Sequence, residues 1–164
     1  MIRPGVVVRH IRDRAEWLAW RQQDLTPGDI AAVAGFSRFR SPYRVYAEKA
    51  GLLAPAESNA LMERGRWGEP MVLEALRETH PTWTIKRAGV YLSDPSIRMG
   101  ATPDFLAIDP EREGVGNIQA KFLARPSFER EWLDGETLRP PLHYQLQTLG
   151  EAHLLDSAWA SPSV

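Results

Sequence analysis

Three polar residues are spaced so that they could do chemistry together: Asp104, Gln119 and Lys121. Asp104 closes the short segment Thr102-Pro103-Asp104. Further along, Gln119 and Lys121 stand two apart in Asn117-Ile118-Gln119-Ala120-Lys121-Phe122. That stretch reads as a strand. Its period of two puts Gln119 and Lys121 on one face and Ile118, Ala120 and Phe122 on the other. An Asp delivered from a neighbouring strand, beside an oxygen donor and an amine, is the set that metal-assisted phosphodiester hydrolysis uses. Oxygen ligands hold a hard cation, and the amine orients and acidifies the attacking water. The middle position calls for a carboxylate and holds an amide. The same three residues would also suit a solvated strand face, which is the ordinary setting of such a triplet taken alone.

Two more polar residues lie on apolar faces. Glu69 precedes Val72, Leu73 and Leu76 at helical spacing, so the four share one side of a helix. A carboxylate there is costly unless it is paired or coordinates something. Alternatively, Pro70 breaks the helix and turns Glu69 to solvent, or Glu69 is an N-terminal acid on a helix that starts at Pro70. Gln147 shares a face with Tyr144, Glu151, Leu154 and Leu155. A buried amide needs partners, which a nearby catalytic cluster would supply; otherwise Gln147 continues a polar stripe with Gln145.

The elements that must carry these residues follow from local signals. Residues 4 to 9 read as an extended arm and residues 13 to 23 as a helix bearing Trp17 and Trp20. Thr26-Pro27-Gly28-Asp29 is a helix start, with Thr as cap and Pro at the first helical position. Gly35 ends that helix. Ser41-Pro42 repeats the signal, and Gly51 stops the helix it opens. Residues 57 to 79 read as one long helix with a kink or break near 66 to 70, where Pro70 removes a backbone donor. Three strands are predicted over 83 to 92, 99 to 108 and 115 to 122, with a Gly-containing turn around 109 to 116. A helix follows Arg125-Pro126-Ser127, and another runs from about Leu142 to Leu155. Helices, then a three-stranded meander, then helices predict an α/β fold: a small mixed sheet flanked by helices.

Composition narrows the function. At 164 residues and 43% hydrophobic, the chain suits one domain, 1–164, with an adequate core. The net charge of −1 announces no nucleic acid, yet residues 1 to 50 hold nine Arg or Lys against five Asp or Glu. Arg dominates that excess and is the better phosphate fork, although an ordinary solvated surface would look the same. The absence of cysteine excludes disulfides and thiolate metal sites, iron–sulfur clusters included. The four His residues show no HExxH or zinc-like spacing. No long apolar run and no signal-peptide core are present, so a cytoplasmic protein is expected.

Six motifs in order then resemble one family, the YqaJ-like viral recombinases, or phage lambda-type alkaline exonucleases, of the PD-(D/E)XK nuclease superfamily. Trp17-x-x-x-Arg21 and the small-residue stretch Thr26 to Gly35 are similar to the family's N-terminal segment. Ser41-Pro42-Tyr43 through Glu48-Lys49-Ala50-Gly51 resembles its "SP…EKxG" helix. Gly65-Arg66-Trp67-Gly68-Glu69-Pro70 resembles "GxxxEP", Thr102-Pro103-Asp104 resembles "(S/T)PD", and Gln119-Ala120-Lys121 takes the place of "ExK". His143-Tyr144-Gln145-Leu146-Gln147 resembles "HYxxQ", with Trp159 following at the family spacing.

The resemblance implies a restriction-endonuclease-like core and a Mg²⁺-dependent double-strand DNA exonuclease working from the 5′ end, with Mn²⁺ as a substitute metal. It implies that Asp104 ligates the ion, that the side chain at 119 and the carbonyl of Ala120 complete the shell, and that Lys121 positions the water. Glu69 and Gln147 would line the site, Glu69 within reach of the metal. Arg21 and Thr102 would hold the terminal phosphate of the DNA, while Gly28 stands where the family has a phosphate-binding serine. Partners implied are double-stranded DNA ends, a single-strand annealing protein, and two further copies of the chain in a ring-forming trimer. Gln119 departs from the pattern, either as an inactivating substitution of Glu or as the natural residue of a weakened or binding-only member; Glu129 or Glu131 could supply a replacement carboxylate. The chain also stops soon after Trp159, as a short or truncated member would. Rival functions are a catalytically silent DNA-binding or inhibitory module, and a nuclease of the same superfamily with a restriction or processing task.

Overall fold

The computed structural model describes residues 2–37, 39–54 and 60–164. Three short helices follow the first strand, each started by a local cap. Helix α1, Arg14–Gln23, begins where Asp13 accepts from the Glu16 N–H at 2.9 Å. Helix α2, Pro27–Val33, begins where Asp29 reaches back to the Thr26 backbone N–H at 2.9 Å and to its hydroxyl at 2.7 Å. Helix α3, Pro42–Lys49, is capped by Ser41. These are the starts that the Thr-Pro and Ser-Pro pairs predict.

Helix α4 runs over Ala60–Thr79 and continues through Pro70. The expected start at residue 57 lies outside the described residues, and the expected break near 66 to 70 does not occur. Packing overrides the proline: Val72, Leu73 and Leu76 are buried on one face with Ile85, Phe105, Ala107 and Ile118. Gly68 lets the ring of Phe122 lie directly on the helix, since a Cβ there would stand 2.1 Å from it.

The three expected strands are five, shared between two sheets. Strand β1 (Val7–His10) pairs with β3 (Val90–Asp94), and β3 with β4 (Met99–Ala101). Strand β2 (Thr84–Arg87) pairs with β5 (Phe105–Ile108), and β5 with β6 (Val115–Ala120). Between β2 and β5 the chain therefore changes sheet twice. One change falls at Gly89, with φ +63°, a region closed to most side chains. The other falls at Pro103, which has no N–H to give to a ladder. The two crossings are tied together by the Ala88 N–H bonding to the Asp104 carbonyl at 3.0 Å. The arm expected at residues 4 to 9 is thus the edge of a three-stranded sheet.

Helix α5 (Arg125–Trp132) leads into a small hairpin, β7 (Leu133–Asp134) with β8 (Thr137–Leu138), which the sequence analysis does not foresee. Helix α6 (Leu142–Leu155) then lies against both larger sheets, touching β6 of one and β3 and β4 of the other. Its Leu154 and Leu155 close a second core with Leu92, Met99 and Ala101. Strand β9 (Trp159–Ser163), also unforeseen because Pro162 interrupts its pattern, joins β6 in parallel. The main sheet is therefore mixed, in the order β2-β5-β6-β9. Among the described residues no helix is long and apolar enough to cross a membrane.

Candidate active site

Strand β6 has one face for each layer. Ile118 enters the core under α4, while Asn117 and Gln119, both buried, turn to the side covered by α6. The turn after the second sheet crossing delivers Asp104 to the same end of the sheet. Asp104 Oδ2 accepts from the Ala120 N–H at 2.8 Å and from the Gln119 side-chain amide in a short contact. The amide group of Gln119 also lies 3.4 Å from the Ala120 carbonyl oxygen. Its own carbonyl oxygen accepts from Gln147 Nε2 at 2.9 Å. Gln147 then receives Lys121 Nζ on its oxygen at 3.1 Å. Lys121 lies 5.0 Å from the centre of the Tyr144 ring, and its backbone N–H bonds to the Ser163 carbonyl at 2.7 Å. Asp104, Gln119, Lys121 and Gln147 thus form one hydrogen-bonded chain across the β5, β6 and α6 elements.

Glu69 stands apart from that chain. It is half-buried on α4 and paired with Arg87 of β2 at 2.7 Å. It acts on Asp104 by charge. Burial pushes the Asp104 carboxyl up to about 6; Lys121 opposes this, and Glu69 adds to it. Burial likewise lowers the Lys121 ammonium, with Asp104 and Glu151 pulling it back up.

Glu151 is the residue that sequence reasoning missed as a site candidate. It is 2% exposed, one helical turn beyond Gln147, and accepts from Gln147 Nε2 at 3.2 Å and from Asn117 Nδ2 at 3.4 Å. Burial raises its carboxyl, Asp104 adds to the shift and Lys121 opposes it. The signal was present: Gln147 and Glu151 are two polar residues one turn apart on a face that continues into Leu154 and Leu155. Arg87, the partner of Glu69, carried no such signal. Glu129 and Glu131 pair with Arg125 and Arg130 on α5.

The donors near Asp104 suit a hard divalent cation in type. The Asp104 carboxylate, the Ala120 carbonyl and the Glu69 carboxylate are all oxygens, as Mg²⁺ prefers, whereas Gln119 turns its nitrogen to Asp104 and its oxygen to Gln147. The Gln119 amine already sits between Asp104 Oδ2 and the Ala120 carbonyl, so these two oxygens converge on a single donor as they would on a cation. The charge is low, because Glu69 is held by Arg87. Among the described residues, no three His, Asp or Glu side chains cluster closely enough to hold a metal on their own.

A cavity of about 400 Å³ is lined by Arg14, Trp17, Arg21, Lys49 and Arg66 among others. Arg21 stacks over Trp17 at 4.7 Å, and the Trp17 indole N–H donates to Thr102 Oγ1 at 2.9 Å. Arg21 and Thr102, two candidates for binding a DNA end, therefore meet at one indole. Gly28 is exposed on α2; a Cβ there would meet nothing within 4 Å. The cavity wall continues into Asp29 and Glu48, which bind Arg40 and, in turn, Lys49 and Arg44.

Comparison with solved structures places the fold. The chain is similar to the alkaline exonuclease LHK-Exo from Laribacter hongkongensis, at 22% identity, 87% coverage of this chain and 69% of that one, with a TM-score of 0.62. The structure of LHK-Exo in complex with dAMP gives the same identity, with 88% and 70% coverage and a TM-score of 0.64. Likeness at this identity speaks for the fold, a mixed α/β architecture of the restriction-endonuclease-like type. A comparison with curated proteins finds no match. The model of the YqaJ-like viral recombinase domain matches residues 16–155, and with most of its length inside that match, this chain belongs to the YqaJ-like viral recombinase family.

Proposed function

We propose that the chain is a metal-dependent deoxyribonuclease, a 5′–3′ exonuclease acting on double-stranded DNA ends in phage-type recombination. The observation that carries this reading is the convergence of Asp104, Gln119 and the Ala120 carbonyl, with Lys121 bonded into the same cluster. The fold shared with an alkaline exonuclease supports it, and so does the cationic cavity lined by Arg14, Arg21 and Arg66. In this reading Asp104 and the Ala120 carbonyl would hold Mg²⁺ or Mn²⁺, with the Gln119 oxygen joining if its amide, whose nitrogen faces Asp104, turns over, and Glu69 joining if Arg87 releases it. The ion would supply Lewis acidity to the phosphate and the water. Lys121, anchored by Gln147 and Tyr144, would orient the attacking water. Arg21 and Thr102, braced by Trp17, take the terminal phosphate. A homotrimer around DNA and a single-strand annealing partner belong to the same proposal; a monomer near 18.5 kDa in sedimentation, with and without DNA, would reject the ring.

One observation favours a second reading, a catalytically silent DNA-binding module. The Gln119 amide nitrogen faces Asp104 and approaches the Ala120 carbonyl, so a hydrogen-bond donor stands where a cation would bridge these oxygens. Digestion of linear duplex DNA with Mg²⁺ or Mn²⁺ separates the two. This chain is expected to digest slowly and Gln119→Glu at least tenfold faster, since a carboxylate adds charge to the shell. DNA binding by both forms with digestion by neither would establish the silent module.

A further inference from the structure

Helix α3 has no task in the reaction proposed above, yet its last residue reaches the residues that would take the DNA end. Lys49 closes α3 and lines the same cavity as Trp17 and Arg21. Its Nζ donates to the Arg21 carbonyl at 2.5 Å and pairs with Asp29 Oδ2 at 2.9 Å. One ammonium thus joins the end of α1, the cap of α2 and the end of α3.

The Arg21 carbonyl needs such a donor. In a longer helix it would accept from the Leu25 N–H, four residues on. That N–H bonds instead to the Arg98 carbonyl at 2.7 Å, where the chain leaves α1 and bridges to β4 at Met99. Lys49 fills the place that Leu25 vacates. Its other anchor is fixed as well. Asp29 is 2% exposed, and its Oδ2 also takes the Thr26 N–H at 2.9 Å and the Thr26 hydroxyl at 2.7 Å. Lys49 cannot leave without stripping a donor from both Asp29 and Arg21. Beyond this backbone clamp, the Arg21 guanidinium lies 4.7 Å from the centre of the Trp17 ring, and the Trp17 indole N–H meets Thr102 Oγ1 at 2.9 Å. The indole sets one plane for the guanidinium, and the clamp sets the backbone it grows from. A guanidinium grips phosphate through a planar fork, so its tilt counts as well as its charge.

We propose that Lys49 is a positioning residue for Arg21: by tying the Arg21 carbonyl to Asp29, it sets the tilt of the guanidinium toward a 5′-terminal phosphate. The inference rests on the reading of Arg21 given above. The ammonium meets the Arg21 backbone and Asp29, and acts on DNA through the Arg21 side chain.

The test compares blunt duplexes carrying 5′-phosphate or 5′-hydroxyl ends. Binding is measured at fixed salt, with Ca²⁺ in place of Mg²⁺ to slow digestion, on the full chain, Arg21→Ala, Lys49→Met and the double variant. The readout is the ratio of the two affinities, which a general loss of stability or of backbone contact leaves unchanged. Arg21→Ala is expected to lower the preference for phosphate about tenfold, and Lys49→Met about fivefold. The double variant should match Arg21→Ala, because Lys49 acts through a side chain already gone. Lys49→Arg, which keeps a cationic donor, should stay within about twofold of the unchanged chain. If Lys49→Met does not fold, Lys49→Gln is measured in its place, with the same expectation. An unchanged preference in the Met or Gln form, or an Arg form as weak as these, would overturn the proposal. Losses that add in the double variant would also overturn it and make Lys49 a direct phosphate contact. A preference that Arg21→Ala leaves intact, or none in the unchanged chain, would instead remove the reading of Arg21 and this inference with it.

Discussion

Around Asp29 and around Asp104 the chain buries a carboxylate near a lysine, and the two carboxyls titrate in opposite directions. Burial alone would raise Asp29, but hydrogen bonds from Thr26 and the charge of Lys49 overcome it and hold Asp29 at about 2. Lys49 lies 2.9 Å away and Arg40 binds the other oxygen. Asp104 has an amide and a backbone N–H in those places, while its lysine bonds to Gln147 instead. Burial therefore wins, and Asp104 rises to about 6. Glu151 rises and Lys121 falls for the same reason. The first cluster holds Asp29 in its charged form and is complete as it stands. The other drives its groups toward neutrality, which is the condition of a group waiting for a charge from outside.

The sharpest way to break this comparison is to remove charge from each cluster in turn. Asp29→Asn leaves Lys49 and Arg40 without their carboxylate and should lower stability by about 3–5 kcal/mol, the cost of breaking a buried pair. Denaturant unfolding measures it, and Mg²⁺ affinity should hardly change. Asp104→Asn should do the reverse, slowing DNA digestion roughly 10²–10³-fold while the melting temperature holds or rises. A melting temperature that falls as far as that of Asp29→Asn would show the two clusters to be alike.

Acid titration separates them next. Asp29 has a depressed carboxyl, so its stabilisation is present above about 3.8 and is lost as pH falls toward 2. Asp104 has a raised one, so ionising it costs stability above about 6, and that cost is relieved as pH falls from 6 toward 3.8. Melting followed over this range should show the low limb vanish in Asp29→Asn and the upper limb vanish in Asp104→Asn. Mg²⁺ binding should strengthen as pH rises through about 6. The smallest effect belongs to Arg44→Ala. Its side chain is 47% exposed, and its pair with Glu48 duplicates that of Arg40, so less than about 1 kcal/mol is expected.

Residues whose neighbours in sequence decide their role were legible. The caps at Thr26 and Ser41, the strand period of Asn117 to Ala120, and the shared face of Glu69 with Val72, Leu73 and Leu76 could all be read from spacing. What could not be read depends on partners far along the chain. Pro70 was expected to kink or break α4, and the helix runs unbroken through it over the core beneath Val72 and Leu73. The strands around Gly89 and Pro103 were each read as one, because local pattern does not reveal a change of sheet. Glu69 could be read as paired, coordinating or turned to solvent; it is paired, and nothing near it in sequence pointed to Arg87. Glu151 was noted on the face of Gln147 and passed over, since only the tertiary packing shows that the face is buried against β6.

The parallel pairing of β9 with β6 has a consequence in time. Gly116 lies opposite Trp159 and Ala120 opposite Ser163, roughly forty residues apart along the chain. Trp159 covers Gly116 so closely that a Cβ there would stand 2.2 Å from the indole, and the Ser163 carbonyl takes the Lys121 N–H. Such a distant pairing forms late, because loop closure must come before the contacts repay it. During synthesis Asp104 and Gln119 can meet as soon as β5 and β6 form a hairpin. Lys121 is seated only after α6 and β9 have emerged and docked. A nascent chain would thus hold its acidic half-site before its lysine, and the order of translation itself delays the moment at which the centre is whole.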